Sequence, residues 1–185
     1  MSRHVCPWWL GYLLASPLRR LIQDPAKILR PYVTPAMTAL DVGSGMGFFT
    51  LPLAERTGPS GRVVAVDLQE KMLQGLMRRA QRAGLADRIE TRLCTSDSLG
   101  LKDLEGSVDF ALAFALLHEV PDRQKLLTEI SRSMKPEGTF LLAEPAGHVT
   151  RADFEITVAY AEAAGFRRAL SPSIRRSHSV VMKKG

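Results

Sequence analysis

The residues most able to do chemistry are an acid followed by three glycines at alternate positions, and a scatter of carboxylates with one histidine further along. Asp41-Val42-Gly43-Ser44-Gly45-Met46-Gly47 closes an apolar run and precedes another. Glycines at such a place permit a tight strand-to-helix turn and let a ligand lie against the backbone. A dinucleotide fingerprint needs G-x-G-x-x-G, but Phe48 stands there and the third glycine comes one residue early, at Gly47. No Gly-Lys-Ser/Thr follows, which excludes a Walker A loop. The turn therefore suits a ligand that is not strongly anionic. Asp67 lies twenty residues after Gly47, where an acid can accept hydrogen bonds from both hydroxyls of a ribose or cap the next helix. Asp97, in Cys94-Thr95-Ser96-Asp97-Ser98, can accept from the exocyclic amine of a purine or cap a turn. In Phe114-Ala115-Leu116-Leu117-His118-Glu119-Val120-Pro121, His118 can work as a general base near neutral pH. Glu119 can orient it, and Glu144, before Pro145, is a second candidate for substrate contact. A loop hydrogen bond, a helix-start acid and a cap are the plain structural roles for these three.

Short apolar, β-branched runs alternate with amphipathic stretches, the pattern of a mostly parallel sheet with helical crossovers. Strands are expected at Thr38–Val42, Arg62–Asp67, Ile89–Cys94, Val108–Phe114, Thr139–Ala143, Phe166–Leu170 and His178–Met182. The run at 62–67 is apolar without alternation, as a strand buried on both faces should be. Helices are expected from Pro25 to about Arg30 behind an Asp24 cap, from Phe48 to near Gly58, and over Glu70–Ala83, Asp122–Met134 and Arg151–Ala164. Lys135-Pro136-Glu137-Gly138 reads as the turn before strand five. Every acid of the first paragraph from Asp67 on then sits at or just past the carboxyl end of a strand, the edge on which open α/β sheets bind ligands.

These motifs, in this order, resemble those of class I S-adenosylmethionine-dependent methyltransferases of the small-molecule type, over residues 38–185. Leu40 to Gly47 is similar to the family's first motif, Val64-Ala65-Val66-Asp67 to its ribose-binding acid, and Thr95-Ser96-Asp97 to its adenine-side motif. Val108-Asp109-Phe110 is similar to the fourth strand, and Ile130 to Gly138 to the turn leading into the fifth. The resemblance implies a Rossmann-like three-layer α/β sandwich whose seven-stranded, mostly parallel sheet has an antiparallel last strand. It implies S-adenosylmethionine as cofactor and S-adenosylhomocysteine as product. Cofactor contacts are implied for Asp41, Gly43, Ser44, Gly45 and Gly47, for Asp67 and Leu68, and for Asp97, Ser98 and Phe114, with no metal. The family's Asp/Asn-Pro-Pro-Tyr/Phe motif of amino-group methylation is absent after strand four, which favours an oxygen or carbon acceptor and leaves His118 as the candidate catalytic base.

The chain has 185 residues, 45% hydrophobic and 24% charged, which fits a core-forming domain without a separate recognition domain. Its net charge of +6 suggests a nucleic acid, yet residues 1–39 and 150–185 each carry +4 while residues 40–149 carry −2. A small-molecule acceptor is thus preferred, with RNA or protein methylation through the basic ends as the rival and a non-catalytic cofactor binder as a third reading. Residues 1–37, with both tryptophans at Trp8 and Trp9, are expected to form a helical lid, with a membrane-surface contact or a helix packed on the core as the alternatives. No stretch has the length of a spanning helix. With only Cys6 and Cys94, no disulfide framework is expected, and a cytoplasmic setting follows.

Overall fold

The computed structural model describes residues 23–185, so the expected Trp8-Trp9 lid lies outside the described residues. The chain divides after Cys94 into two compact units. In the first, helix α1 (Pro25–Leu29) starts on Asp24, whose carboxylate accepts from the Ala26 amide at 3.0 Å. Pro25 fills the first helical position, where no amide hydrogen bond is needed. Leu29 and Val33 are buried, and Arg56 of α2 (Thr50–Thr57) donates to the Val33 carbonyl at 2.9 Å, fastening the stretch after α1 to α2. Strands β1 (Thr38–Val42), β2 (Arg62–Asp67) and β3 (Ile89–Leu93) pair in parallel, with Asp41 opposite Ala65 and Asp67 opposite Leu93. Val63 to Val66 are completely buried, as their uninterrupted apolar run requires. Helix α3 (Glu70–Arg82) turns Met72, Leu73, Leu76 and Ala80 inward.

The second unit holds β4 (Val108–Phe114), α4 (Arg123–Ser133), β5 (Met134–Pro145), α5 (Arg151–Ala163), β6 (Phe166–Leu170) and β7 (Ser177–Lys184). Asp122 caps α4 by accepting from the Lys125 amide at 2.9 Å, and Thr150 caps α5 by accepting from the Asp153 amide at 3.1 Å. β4 and β5 are parallel, while β7 runs antiparallel to both β5 and β6. Among the described residues the strands form one seven-stranded sheet in the order β3-β2-β1-β4-β5-β7-β6, which is the α/β architecture that the resemblance implied.

Strand five departs from expectation. It begins at Met134, which pairs with Val108, and the ladder resumes only at Thr139 opposite Phe110. The expected turn at 135–138 is thus an irregularity inside the strand's span, with Glu137 at φ 62°. Helix α2 starts at Thr50 rather than Phe48, because the residues up to 49 still belong to the glycine turn.

Candidate cofactor site and a histidine–carboxylate pair

In the first unit β1 carries Asp41 into the glycine turn, and the amides of Gly43 and Ser44 both donate to the Val66 carbonyl, at 2.9 and 3.1 Å. The chain must then curl back sharply, which Gly45 and Gly47 do at φ 52° and 82°, conformations that residues with a side chain resist. A Cβ on Gly47 would stand 3.1 Å from Leu76 Cγ, so α3 is packed directly on the turn. A Cβ on Gly45 would meet nothing within 4 Å, which leaves room for a ligand at that backbone. The Arg79 guanidinium donates to the Met46 carbonyl and ties α3 to the turn from the other end.

Asp67, at the end of β2, is the second fastening. Its Oδ2 accepts from the Gly45 amide at 2.8 Å and its Oδ1 from the Gln69 amide, ahead of α3, at 2.9 Å. One carboxylate thus ties the glycine turn to the residue ahead of α3, and the bond to Gly45 had no signal in the sequence. A carboxylate has about four acceptor sites, so the amides leave it spare acceptor capacity. Burial raises the Asp67 pKa above the usual carboxylate range, and the amide hydrogen bonds from Gln69, Gly45 and Leu68 oppose that rise. The neighbouring Leu68 is 44% exposed, an apolar side chain left at the rim of the strand. Ser44 Oγ is buried with no hydrogen-bond partner among the described residues. An unsatisfied hydroxyl, an open glycine backbone and spare carboxylate lone pairs are what a bound nucleoside with a polar tail would use.

Asp41 behaves differently. It is 3% exposed and accepts from Thr50 Oγ1 at 2.6 Å. Burial pushes its pKa up to about 7, the Thr50 hydroxyl acting against the shift and the Asp67 charge adding to it. Its carboxyl thus acts through the buried Thr50 bond beneath the turn. The sequence carried no signal for Thr50.

In the second unit Asp97 is fully exposed on the turn closed by the Thr95–Ser98 bridge. The Thr95 hydroxyl holds its pKa below the ordinary carboxylate value, with help from its own amide and the Lys125 charge. Glu129 of α4, not singled out from the sequence, anchors this turn: its carboxylate accepts from the Leu99 amide at 2.7 Å and from Ser98 Oγ at 3.3 Å. Phe114 ends β4, only 9% exposed, and Ala115 follows at φ 57°.

The loop after β4 wraps around Glu144 of β5. This carboxylate is 1% exposed. Its Oε1 accepts from the Leu116 amide at 3.2 Å and the Leu117 amide at 2.7 Å, and its Oε2 bonds His118 Nδ1. Glu119, the neighbour expected to orient His118, has its Oε1 at 3.9 Å from Nε2, outside hydrogen-bond range. The His148 ring lies 6.3 Å from the His118 ring, centroid to centroid. The Glu144 hydrogen bond raises the His118 pKa above its usual value against the effect of burial, with Glu144 and Glu119 charges adding and Arg123 subtracting.

A family model described as a methyltransferase domain matches residues 33–171. A ubiquinone/menaquinone biosynthesis C-methyltransferase of Brucella anthropi is 32% identical over 133 residues, 71% of this chain and 50% of that protein. A demethylmenaquinone methyltransferase of Lactobacillus johnsonii is 34% identical over 100 residues, 54% of this chain and 40% of that protein. The chain thus spans half or less of the length of these curated relatives. A crystal structure of an S-adenosylmethionine-dependent methyltransferase from Aquifex aeolicus superposes with a TM-score of 0.85 at 25% identity, covering 97% of this chain and 98% of that one. With a family match running from Val33 to Ser171 and the fold shared along nearly its whole length, the chain belongs to the class I S-adenosylmethionine-dependent methyltransferases, whose cofactor is S-adenosylmethionine.

Proposed function

We propose that this chain transfers the methyl group of S-adenosylmethionine to a small-molecule acceptor, at oxygen or carbon. The observation that carries the reading is Asp67, which fastens the glycine turn through Gly45 and keeps acceptor capacity for a ribose. Gly43, Ser44, Gly45 and Gly47 take the amino-acid part of the cofactor, with Asp41 beneath them, and Leu68 lies against the nucleoside. By the same resemblance Asp97, Ser98 and Phe114 contribute to the adenine side. The bound cofactor supplies a methyl already activated by its sulfonium. The chain has only to hold the acceptor in line, keep water away and accept a proton. His118 takes that last role. The likeness to a ubiquinone/menaquinone biosynthesis C-methyltransferase of Brucella and a demethylmenaquinone methyltransferase of Lactobacillus supports carbon as the first acceptor atom to try. We place the reaction in the cytoplasm. Among the described residues no helix is long and apolar enough to cross a membrane.

Calorimetry with S-adenosylhomocysteine tests the cofactor assignment. Asp67→Ala should weaken binding by about 1–3 kcal/mol, the cost of leaving ribose hydroxyls unpaired; unchanged affinity overturns it. A transfer assay with methyl-labelled cofactor against hydroxylated aromatics, RNA and protein tests the acceptor. Label in RNA or protein alone overturns the small-molecule reading.

A further inference from the structure

We propose that Glu144 is a positioning residue, holding the His118 imidazole with Nδ1 protonated and Nε2 free to receive a proton from the acceptor. The inference rests on the methyl-transfer reading above and deepens it. A carboxylate buried to 1% exposure is costly unless its lone pairs are used, and here two backbone amides and one ring nitrogen use them. An ionised carboxylate can only accept, so the ring atom facing it must donate. In the neutral imidazole a proton on Nδ1 leaves the lone pair on Nε2. The two amides that share Oε1 belong to Leu116 and Leu117, just before His118, so the carboxylate that sets the tautomer also sets the path of the backbone carrying the ring.

Nε2 remains available. Glu119 is 3.9 Å from it, too far to bond, and the His118 side chain is 24% exposed. The other groups facing the ring are His148, following β5, and Arg123, at the start of α4. The His148 ring is tilted 31° to it at 6.3 Å between centroids, and Arg123 opposes the charged form.

A base so arranged is useful only to an acceptor with a proton to lose: a phenolic or enolic hydroxyl, or an acidic carbon beside one. The acceptor's O–H or C–H bond breaks, its proton going to Nε2 and its electron pair staying behind. That pair forms the new bond to the methyl carbon as the methyl–sulfur bond breaks and returns its electrons to sulfur. The imidazolium, balanced by Glu144, then loses the proton to water. A tertiary amine or a thioether, with nothing to deprotonate, gains nothing from this pair.

The test is a two-bond proton–nitrogen correlation spectrum of the full chain labelled with nitrogen-15 histidine, titrated from about pH 5 to 9, with His118 assigned through His118→Gln. The wild type should show the Nδ1–H tautomer and a midpoint above the ordinary histidine value of about 6.5. In Glu144→Gln the amide oxygen keeps the two backbone bonds and its NH₂ faces Nδ1. The tautomer should invert, the midpoint should fall, and turnover should drop on the order of 10²-fold or more while cofactor affinity stays within about twofold. An Nε2–H tautomer in the wild type overturns the proposal, as does a Glu144→Gln spectrum with unchanged tautomer and midpoint. The wild-type spectrum alone decides if the variant fails to fold. S-adenosylhomocysteine calorimetry on the same samples separates the two readings, since lost cofactor binding sinks the proposed function whereas a wrong tautomer sinks only the role of Glu144.

Discussion

Replacing Asp41 with Asn should stabilise the protein in a strongly pH-dependent way. Asp41 is buried beneath the glycine turn, and burial pushes its pKa from the ordinary carboxylate value up to about 7. A folded-state pKa raised above the unfolded one means that this group favours the fold below the unfolded pKa. That contribution is lost as pH rises, until the folded group has also ionised. At about 1.36 kcal/mol per pH unit, this rise in pKa makes the whole effect on the order of 4 kcal/mol. Integrating between the same two pKa values, about 2–3 kcal/mol of it falls between pH 5 and pH 8. Asn has nearly the same shape, offers an oxygen to the Thr50 hydroxyl now 2.6 Å away, and never ionises. The advantage of Asp41→Asn over wild type should therefore grow by about 2–3 kcal/mol from pH 5 to pH 8 and level off above that. Urea unfolding at 25 °C, at four pH values and with a shared slope, measures the difference directly. Titrating groups other than Asp67, whose charge acts on Asp41, are common to both proteins and cancel. A gap that stays constant across the range refutes a carboxyl under the turn that keeps its proton at pH values where the unfolded chain has lost it.

Gly45→Ala and Gly47→Ala separate ligand space from packing. Gly45→Ala should cost only about 1 kcal/mol of stability, for backbone strain, yet abolish calorimetric binding because the new methyl enters the space at the turn; Gly47→Ala adds a clash with Leu76 and should cost about 2–3 kcal/mol. Equal losses of stability in the two variants contradict this. Glu129→Ala removes the acceptor for the Leu99 amide and the Ser98 hydroxyl, and should destabilise by about 1–2 kcal/mol and weaken cofactor affinity several-fold. Affinity that does not move removes Asp97 and Ser98 from the cofactor site.

Much of the fold was legible because buried parallel strands need apolar runs and helix starts need caps. Val63 to Val66 declares β2 with no help from the rest of the chain, and Asp24 and Asp122 stand where capping places them. Strand five was read short since Pro136 and Gly138 signal a turn locally, while the pairing of Met134 with Val108 is a tertiary fact. The same distinction divides the candidate site. Glycine spacing and the acid twenty residues on follow from local backbone demands, so the turn and Asp67 were found. Glu129 and Glu144 act on residues 30 and 27 positions away, and Thr50 on one nine away through the curl of the turn. No periodicity carries such pairings. Glu119 was the natural partner for His118 by adjacency, but neighbours in a short helical turn point apart, and the sheet brought Glu144 instead.

The double hold of Asp67 on Gly45 and Gln69 also bears on how the cofactor arrives. The turn is fastened to β2 and to the residue ahead of α3 by the chain's own bonds, so no segment there waits to be ordered by its guest. Association is then a docking of rigid surfaces, with little conformational entropy lost at this turn. Its rate is set by encounter and orientation. Differences in affinity among variants of this turn should therefore reside in how long the cofactor stays.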